Sequence, residues 1–151
     1  MIYFAADHRG YQLKEELKKW LQEGDNQVED LGAFSYNQND DYVDFAQAVA
    51  EKIVENPSTR KGIMLCGSGV GMDVAANKYR GVHAALVKDR PTAIQSREHG
   101  DTNVLVLAAD DLDILQAKDI VTAWLNTSFS GEERHIRRLN KIREIEEKNF
   151  R

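Results

Sequence analysis

A three-layer α/β/α sandwich around a five-stranded parallel sheet is the fold class this sequence predicts, on three observations. Short apolar runs alternate strictly with helical patterns from one end of the chain to the other. Those apolar runs read as buried strands, and strands separated by helices are parallel strands joined by right-handed crossovers, with helices on both faces. No internal repeat, low-complexity segment or inter-domain linker interrupts the 151 residues, a length suited to one domain spanning 1–151 with a real core.

The elements follow in order. Residues 2–6, IYFAA, are the first strand, and 11–23 the first helix, where Leu13, Leu17, Trp20 and Leu21 make an apolar stripe that Gly24 is placed to end. Residues 27–32 are a short second strand and 35–41 a polar loop. The helix at 43–55 is stopped by Asn56-Pro57. Strand three is 62–66, with a helix at 70–78. Strand four, 82–87, contains His83 and precedes a helix at 90–99 whose first turn accommodates Pro91. Strand five is 103–109, followed by a helix at 112–125. A long charged helix, 132–150, closes the chain. Its stripe of Ile136, Leu139, Ile142 and Ile145 is thin, which suits a partner subunit as well as its own core. A homodimer is expected.

Composition excludes several classes. The net charge of −5 argues against general nucleic-acid binding, which needs a strong cationic field. No apolar stretch reaches the twenty residues of a membrane span. Asp7 and His8 break up any secretory signal, and the single cysteine cannot form an internal disulfide, so a reducing cytoplasm is expected.

Ligands of such folds bind beyond the carboxyl ends of the strands. Asp7 and His8, Cys66 to Gly71, and Lys88 and Asp89 fall there. In GIMLCGSGVGMDVAAN, the glycines at 67, 69 and 71 precede a helix. No lysine follows Gly71 before Lys78, as a P-loop requires, and Met72 stands where the dinucleotide fingerprint has its third glycine. What survives is a concavity of backbone N–H groups beside a helix start, fit for a phosphate or a reaction oxyanion, or else a tight turn for close packing. Cys66 is either a small buried hydrophobe or, at a strand end facing a helix N-terminus, a thiol of lowered pKa serving as nucleophile or general base.

His8 forms with Asp7 either a surface pair or a functional one. His99 ends a helix, a position that favours a protonated imidazole and hence an acid, or it is an ordinary cap. His135 belongs to the basic end segment. No histidine pair has metal-ligand spacing, and NQNDDYVD lacks the glycine and glutamate of a calcium loop, so no metal is implied. Arg134 and Arg138, four apart, share a helix face and can grip one phosphate, unless Glu132, Glu133 and Glu144 neutralise that face. RNA is a third reading, weakened by the acidic whole and the lack of aromatic platforms.

DHRGYQLK, DYVDFA, CGSGVGM, AANKYRGVHAAL, SREHGDTNVL and ERHIRRL, in this order, resemble the B-type ribose-5-phosphate isomerases and their galactose-6-phosphate isomerase relatives. The resemblance spans nearly the whole chain. It implies a Rossmann-like fold and cofactor-free interconversion of an aldose and a ketose phosphate through an enediol, in pentose phosphate and carbohydrate metabolism. Cys66 resembles the family's base. One branch uses a glutamate just beyond the loop instead, and that position is Met72 here. Gly67, Ser68, Gly69, Val70 and Gly71 resemble the anion hole, and His99 the ring-opening acid. Asp7 and His8 resemble sugar contacts, and Arg134 and Arg138 phosphate ligands. Family members are dimers or dimer pairs whose sites draw on two subunits.

Three positions depart from the pattern: Gly100 replaces an asparagine, Asp110 an arginine and Val43 a proline. Arg9 and Arg137 are the candidates to compensate. Ribose 5-phosphate is the default substrate, a galactose or allose 6-phosphate the alternative. A sugar-phosphate or nucleotide sensor is the non-catalytic alternative, which would need neither Cys66 nor His99.

Overall fold

The computed structural model describes residues 1–150. Its strands are β1 (Ile2–Ala6), β2 (Val28–Asp30), β3 (Lys61–Cys66), β4 (Ala84–Leu86) and β5 (Val104–Ala108). Its α-helices are α1 (Tyr11–Glu23), α2 (Tyr42–Glu55), α3 (Val70–Ala76), α4 (Arg90–Gly100), α5 (Ile114–Asn126) and α6 (Glu133–Asn149). One parallel sheet runs in the order β2-β1-β3-β5-β4.

Alternation along the strands divides the core. Phe4, Ile63, Leu65, Leu105 and Leu107 face α1, α4 and α5, with Trp124 buried among them. Tyr3, Met64, Cys66 and Val106 face α2 and α3, against Val49, Ile53 and Met72. The Rossmann-like three-layer sandwich expected from the sequence is therefore present. α6 lies outside the layers, touching α4.

The differences from expectation are at element ends. β2 and β4 shrink to three residues each, because both are edge strands with a single neighbour. His83 accordingly precedes β4 rather than lying in it, its N–H donating to Asn103 Oδ1 at 2.8 Å and its Nε2 lying 3.5 Å from Glu146. The fifth helix starts later than expected, since a 3-10 turn at Ala109–Asp111 intervenes and Asp113 caps α5 through Gln116. Asp89, a strand-end candidate, caps α4 by accepting from the Thr92 N–H at 2.8 Å.

Two features of the fold set up the site. The chain leaves β1 toward β2 on one side and returns to β3 on the other, which opens a crevice at the carboxyl ends of β1 and β3. Lys14 of α1, fully buried, then anchors the loop after β2. Its ammonium donates to Asp30 Oδ1 at 2.7 Å and to the Ala33 carbonyl at 2.6 Å. Burial works to raise the Asp30 pKa, but hydrogen bonds from Lys14, Lys18 and the Gly32 N–H outweigh it and hold the carboxylate below its ordinary value. That loop carries Asp40 back to the crevice.

Candidate active site

β3 delivers Cys66 to the mouth of the crevice, paired in register with Ala108 of β5. The side chain is only 4% exposed, and Sγ accepts a hydrogen bond from the Gly69 N–H at 3.2 Å. Gly69 has φ +77°, and a Cβ there would strike the Leu86 side chain, so glycine is required on both counts. Gly67 and Gly69 are buried, while Ser68 and Val70 are exposed, Ser68 Oγ accepting from the Val70 N–H at 3.4 Å. Gly71 lies under the Tyr42 ring.

The thiol departs from expectation. Burial pushes its pKa up. The Met72 and Gly69 N–H groups and the Arg9 guanidinium pull the other way, and the buried Asp7 carboxylate adds to the rise. Facing a helix start does not outweigh desolvation here, because the helix is only seven residues long and the sulfur is dry. Cys66 therefore rests as the thiol.

β1 delivers Asp7 and His8 beside it. Asp7 Oδ1 accepts from the Arg9 and Gly10 N–H groups at 3.0 and 3.1 Å, closing the turn into α1. The His8 N–H donates to Asp40 Oδ1 at 3.0 Å, and His8 Nδ1 lies 2.7 Å from the same oxygen. Asp40 Oδ2 is buried without a partner among the described residues. Asp7, His8 and Asp40 bring their ligating atoms within 4.8 Å of one another. Asp7 and Asp40 each spend Oδ1 on backbone N–H groups. Asp40 escaped the sequence reading because it sits in a polar loop whose path depends on the buried Lys14.

His99, Gly100, Arg134 and Arg138 lie elsewhere. α4 runs back along the sheet, so its last residues reach the end where the strands begin. There the Asn103 carbonyl accepts from the Gly62 N–H at 2.9 Å, and the Ser130 N–H donates to the Glu98 carbonyl at 3.1 Å. β3 alone separates that end from Cys66 by about 17 Å. The exposed His99 ring stacks on His135 with centroids 4.2 Å apart. His135 is 1% exposed, with Nδ1 2.6 Å from Ser130 Oγ and Nε2 unpartnered among the described residues. Desolvation, His99, Arg134 and Arg138 hold its pKa below the ordinary histidine value, against the pull of Glu132. Arg134 Nε pairs with Glu132 at 2.9 Å, and Arg138 is exposed. The sequence reading missed His135 by assigning it to a charged segment; its spacing four before Leu139, also buried, was the available signal.

The chain thus presents two groups of candidate residues: a thiol, an N–H loop and a carboxylate-bound imidazole at one end, and an imidazole pair with two arginines at the other. The first can move a proton next to a stabilised oxyanion. The second can hold an anion and supply a proton.

A family model described as Ribose/Galactose Isomerase matches residues 2–142. A Bacillus subtilis protein named putative sugar phosphate isomerase YwlF is 38% identical over 149 residues, 99% of each chain. A probable ribose-5-phosphate isomerase B of Mycoplasma genitalium is 42% identical over 141 residues, 93% of this chain and 92% of that one. The crystal structure of ribose-5-phosphate isomerase B from Mycoplasma genitalium with bound ribulose-5-phosphate superposes with TM-score 0.94 at 41% identity, covering 97% of this chain and 95% of that one. The Clostridium thermocellum ribose-5-phosphate isomerase B superposes at 0.92, with 40% identity and 97% of each chain covered. Sequence and fold agree over almost the entire length: the chain belongs to the ribose/galactose isomerase family and is an isomerase.

Proposed function

We propose that this enzyme interconverts ribose 5-phosphate and ribulose 5-phosphate through a cis-enediol, without a cofactor. The chain is an aldose–ketose isomerase of phosphorylated sugars, in line with relatives named ribose-5-phosphate isomerase B. The observation that carries the reading is Cys66, a buried thiol at a strand end with its sulfur hydrogen-bonded into a loop of N–H groups.

In this reading His99 opens the sugar ring, and Cys66 takes the C2 proton and returns it to C1. The amides of Gly67 to Gly71 stabilise the enediolate oxygen. Asp7 shapes the turn that presents His8 to the sugar, while Arg134 and Arg138 hold the phosphate and thereby fix the reacting carbons. The separation of Cys66 from His99 supports a site completed by a second copy. So do Ile136, Ile142 and Ile145, left 43–60% exposed on α6. A homodimer, or a dimer of dimers, follows, each chain contributing one isomerase domain. One feature favours the galactose or allose 6-phosphate alternative: Gly100, beside His99, leaves room where a larger sugar would extend.

Solvent-deuterium exchange at C2 over a panel of five- and six-carbon aldose phosphates tests the reaction, with Cys66→Ala as control. Exchange fastest with ribose 5-phosphate and abolished by Cys66→Ala is expected. Equal exchange by the variant would remove Cys66 as base.

A further inference from the structure

Arg9 follows His8 in the turn after β1, and its guanidinium crosses the crevice to pair with Asp110, in the 3-10 turn after β5. On the way it lies against Gly67, so that a Cβ on this glycine would fall on the guanidinium group itself. Asp110 holds the same glycine through the backbone, its N–H donating to the Gly67 carbonyl at 3.1 Å. The residue immediately after Cys66 is thus gripped between the Arg9 side chain and the Asp110 main chain, and the ion pair closes the ring. Arg9 and Asp110 are 52% and 45% exposed, and pairs that open to water add little to stability. The arrangement makes better sense as a device for the loop.

Negative charge gathers at that loop. The buried Asp7 carboxylate stands beside the thiol, and the reaction places one further negative charge there, on the thiolate and then, once the C2 proton has moved to sulfur, on the enediolate. Two charged side chains that bear on Cys66 are Asp7 and Arg9, and of the two only Arg9 favours an anion. A guanidinium keeps its charge throughout the working range and presents a rigid fork that one carboxylate can lock in place.

We propose that Arg9 is the side-chain cation of the reacting centre, offsetting the anion that forms at Cys66 and its loop during turnover, with Asp110 as its positioning residue. The role rests on the reading of Cys66 as the base. It deepens that reading by giving the loop a full charge in addition to its amide dipoles.

Cys66 is the only cysteine of the chain, so alkylation of the folded protein by iodoacetamide reports this thiol alone. Arg9→Gln is expected to slow alkylation about three- to tenfold near neutral pH and to move its pH profile upward. It should lower kcat by at least as much, with KM less affected. Arg9→Lys, which keeps the charge without the fork, should restore most of the alkylation rate but only part of kcat. Asp110→Asn frees the guanidinium from its lock but also removes a counter-charge, so it should lower kcat modestly without slowing alkylation, and should have no further effect on kcat once Arg9 is glutamine. Circular dichroism establishes that each variant is folded. Alkylation of Arg9→Gln at the parental rate overturns the proposal, as does an Asp110→Asn effect on kcat of equal size with and without Arg9. Alkylation needs no sugar. A parent whose alkylation responds as expected but which isomerises no aldose phosphate would sink the proposed reaction and leave the role of Arg9 standing.

Discussion

Asp40 Oδ1 accepts from two groups of one residue, the backbone N–H of His8 at 3.0 Å and the His8 ring through Nδ1 at 2.7 Å. A carboxylate has no proton to give, so the proton of this contact belongs to Nδ1, and the ring turns Nε2 outward. The double contact fixes backbone and ring together, which makes His8 a directed group rather than a mobile loop side chain.

Replacing Asp40 by asparagine should release that tautomer and let the ring turn. Losing a charge-assisted hydrogen bond of this kind costs about 1.5–3 kcal/mol. If His8 binds substrate, KM should rise roughly ten- to hundredfold with kcat less affected. Nitrogen-15 shifts of the His8 ring would show whether the Nδ1–H form is lost. An unchanged KM with a changed tautomer would remove His8 from the binding site.

The resting state of Cys66 sets the pH response. Burial holds the thiol protonated, and it ionises only as pH climbs through a pKa above the ordinary thiol value of about 8.5. If Cys66 is the base, it acts in the ionised form, so kcat/KM for the free enzyme should keep rising from neutral into alkaline pH. Cys66→Ser should lose about a hundredfold or more. A rate already level below neutral pH would mean that the proton is taken by another group.

The candidate residues near Cys66 were largely legible in the sequence, because parallel α/β topology draws attention to the residues just after strand ends. Asp7, His8 and Cys66 fall there by position alone. The state of Cys66 was not legible. Its position beside a helix start is written in the glycine pattern, whereas the burial that opposes it is produced by strands and helices remote in sequence. The Arg9–Asp110 contact, between residues 101 apart, and the Lys14 anchor that brings Asp40 to His8 were hidden for the same reason. The fold itself was read nearly to the residue where helices carry strong stripes, as in α1. It was overextended at the edge strands, where an apolar run outlasts the hydrogen bonds of a single neighbour.

Candidate residues divided between opposite ends of the sheet make a prediction that a self-contained site does not. Cys66→Ala and His99→Asn proteins should each be inactive alone. Mixed and allowed to exchange subunits, they should form dimers with one intact site among two. For a symmetric dimer, random exchange makes half the dimers mixed, so about one quarter of the parental rate should return. Ultracentrifugation of the parent gives the oligomer mass directly. No recovery, from proteins shown to exchange, would place Cys66 and His99 in separate functions.

Gly100 offers a direct test of how the sugar is chosen. It is the last residue of α4, and a Cβ added there would meet only Thr102 Cγ2, at 3.5 Å, an ordinary van der Waals contact. Its backbone has no left-handed φ, so the fold does not demand glycine at this position. Gly100→Asn should therefore fold with stability unchanged or raised by up to about 1 kcal/mol, readable as an unchanged or higher Tm. Beside His99 the new amide reaches toward whatever that imidazole serves. If the opening admits larger sugars, the variant should lose activity on six-carbon aldose phosphates and keep or gain it on ribose 5-phosphate. The ratio of kcat/KM between the two substrates is the measurement. A ratio that stays constant would mean that the sugar does not pass Gly100 and that selection rests with the His8 half of the site.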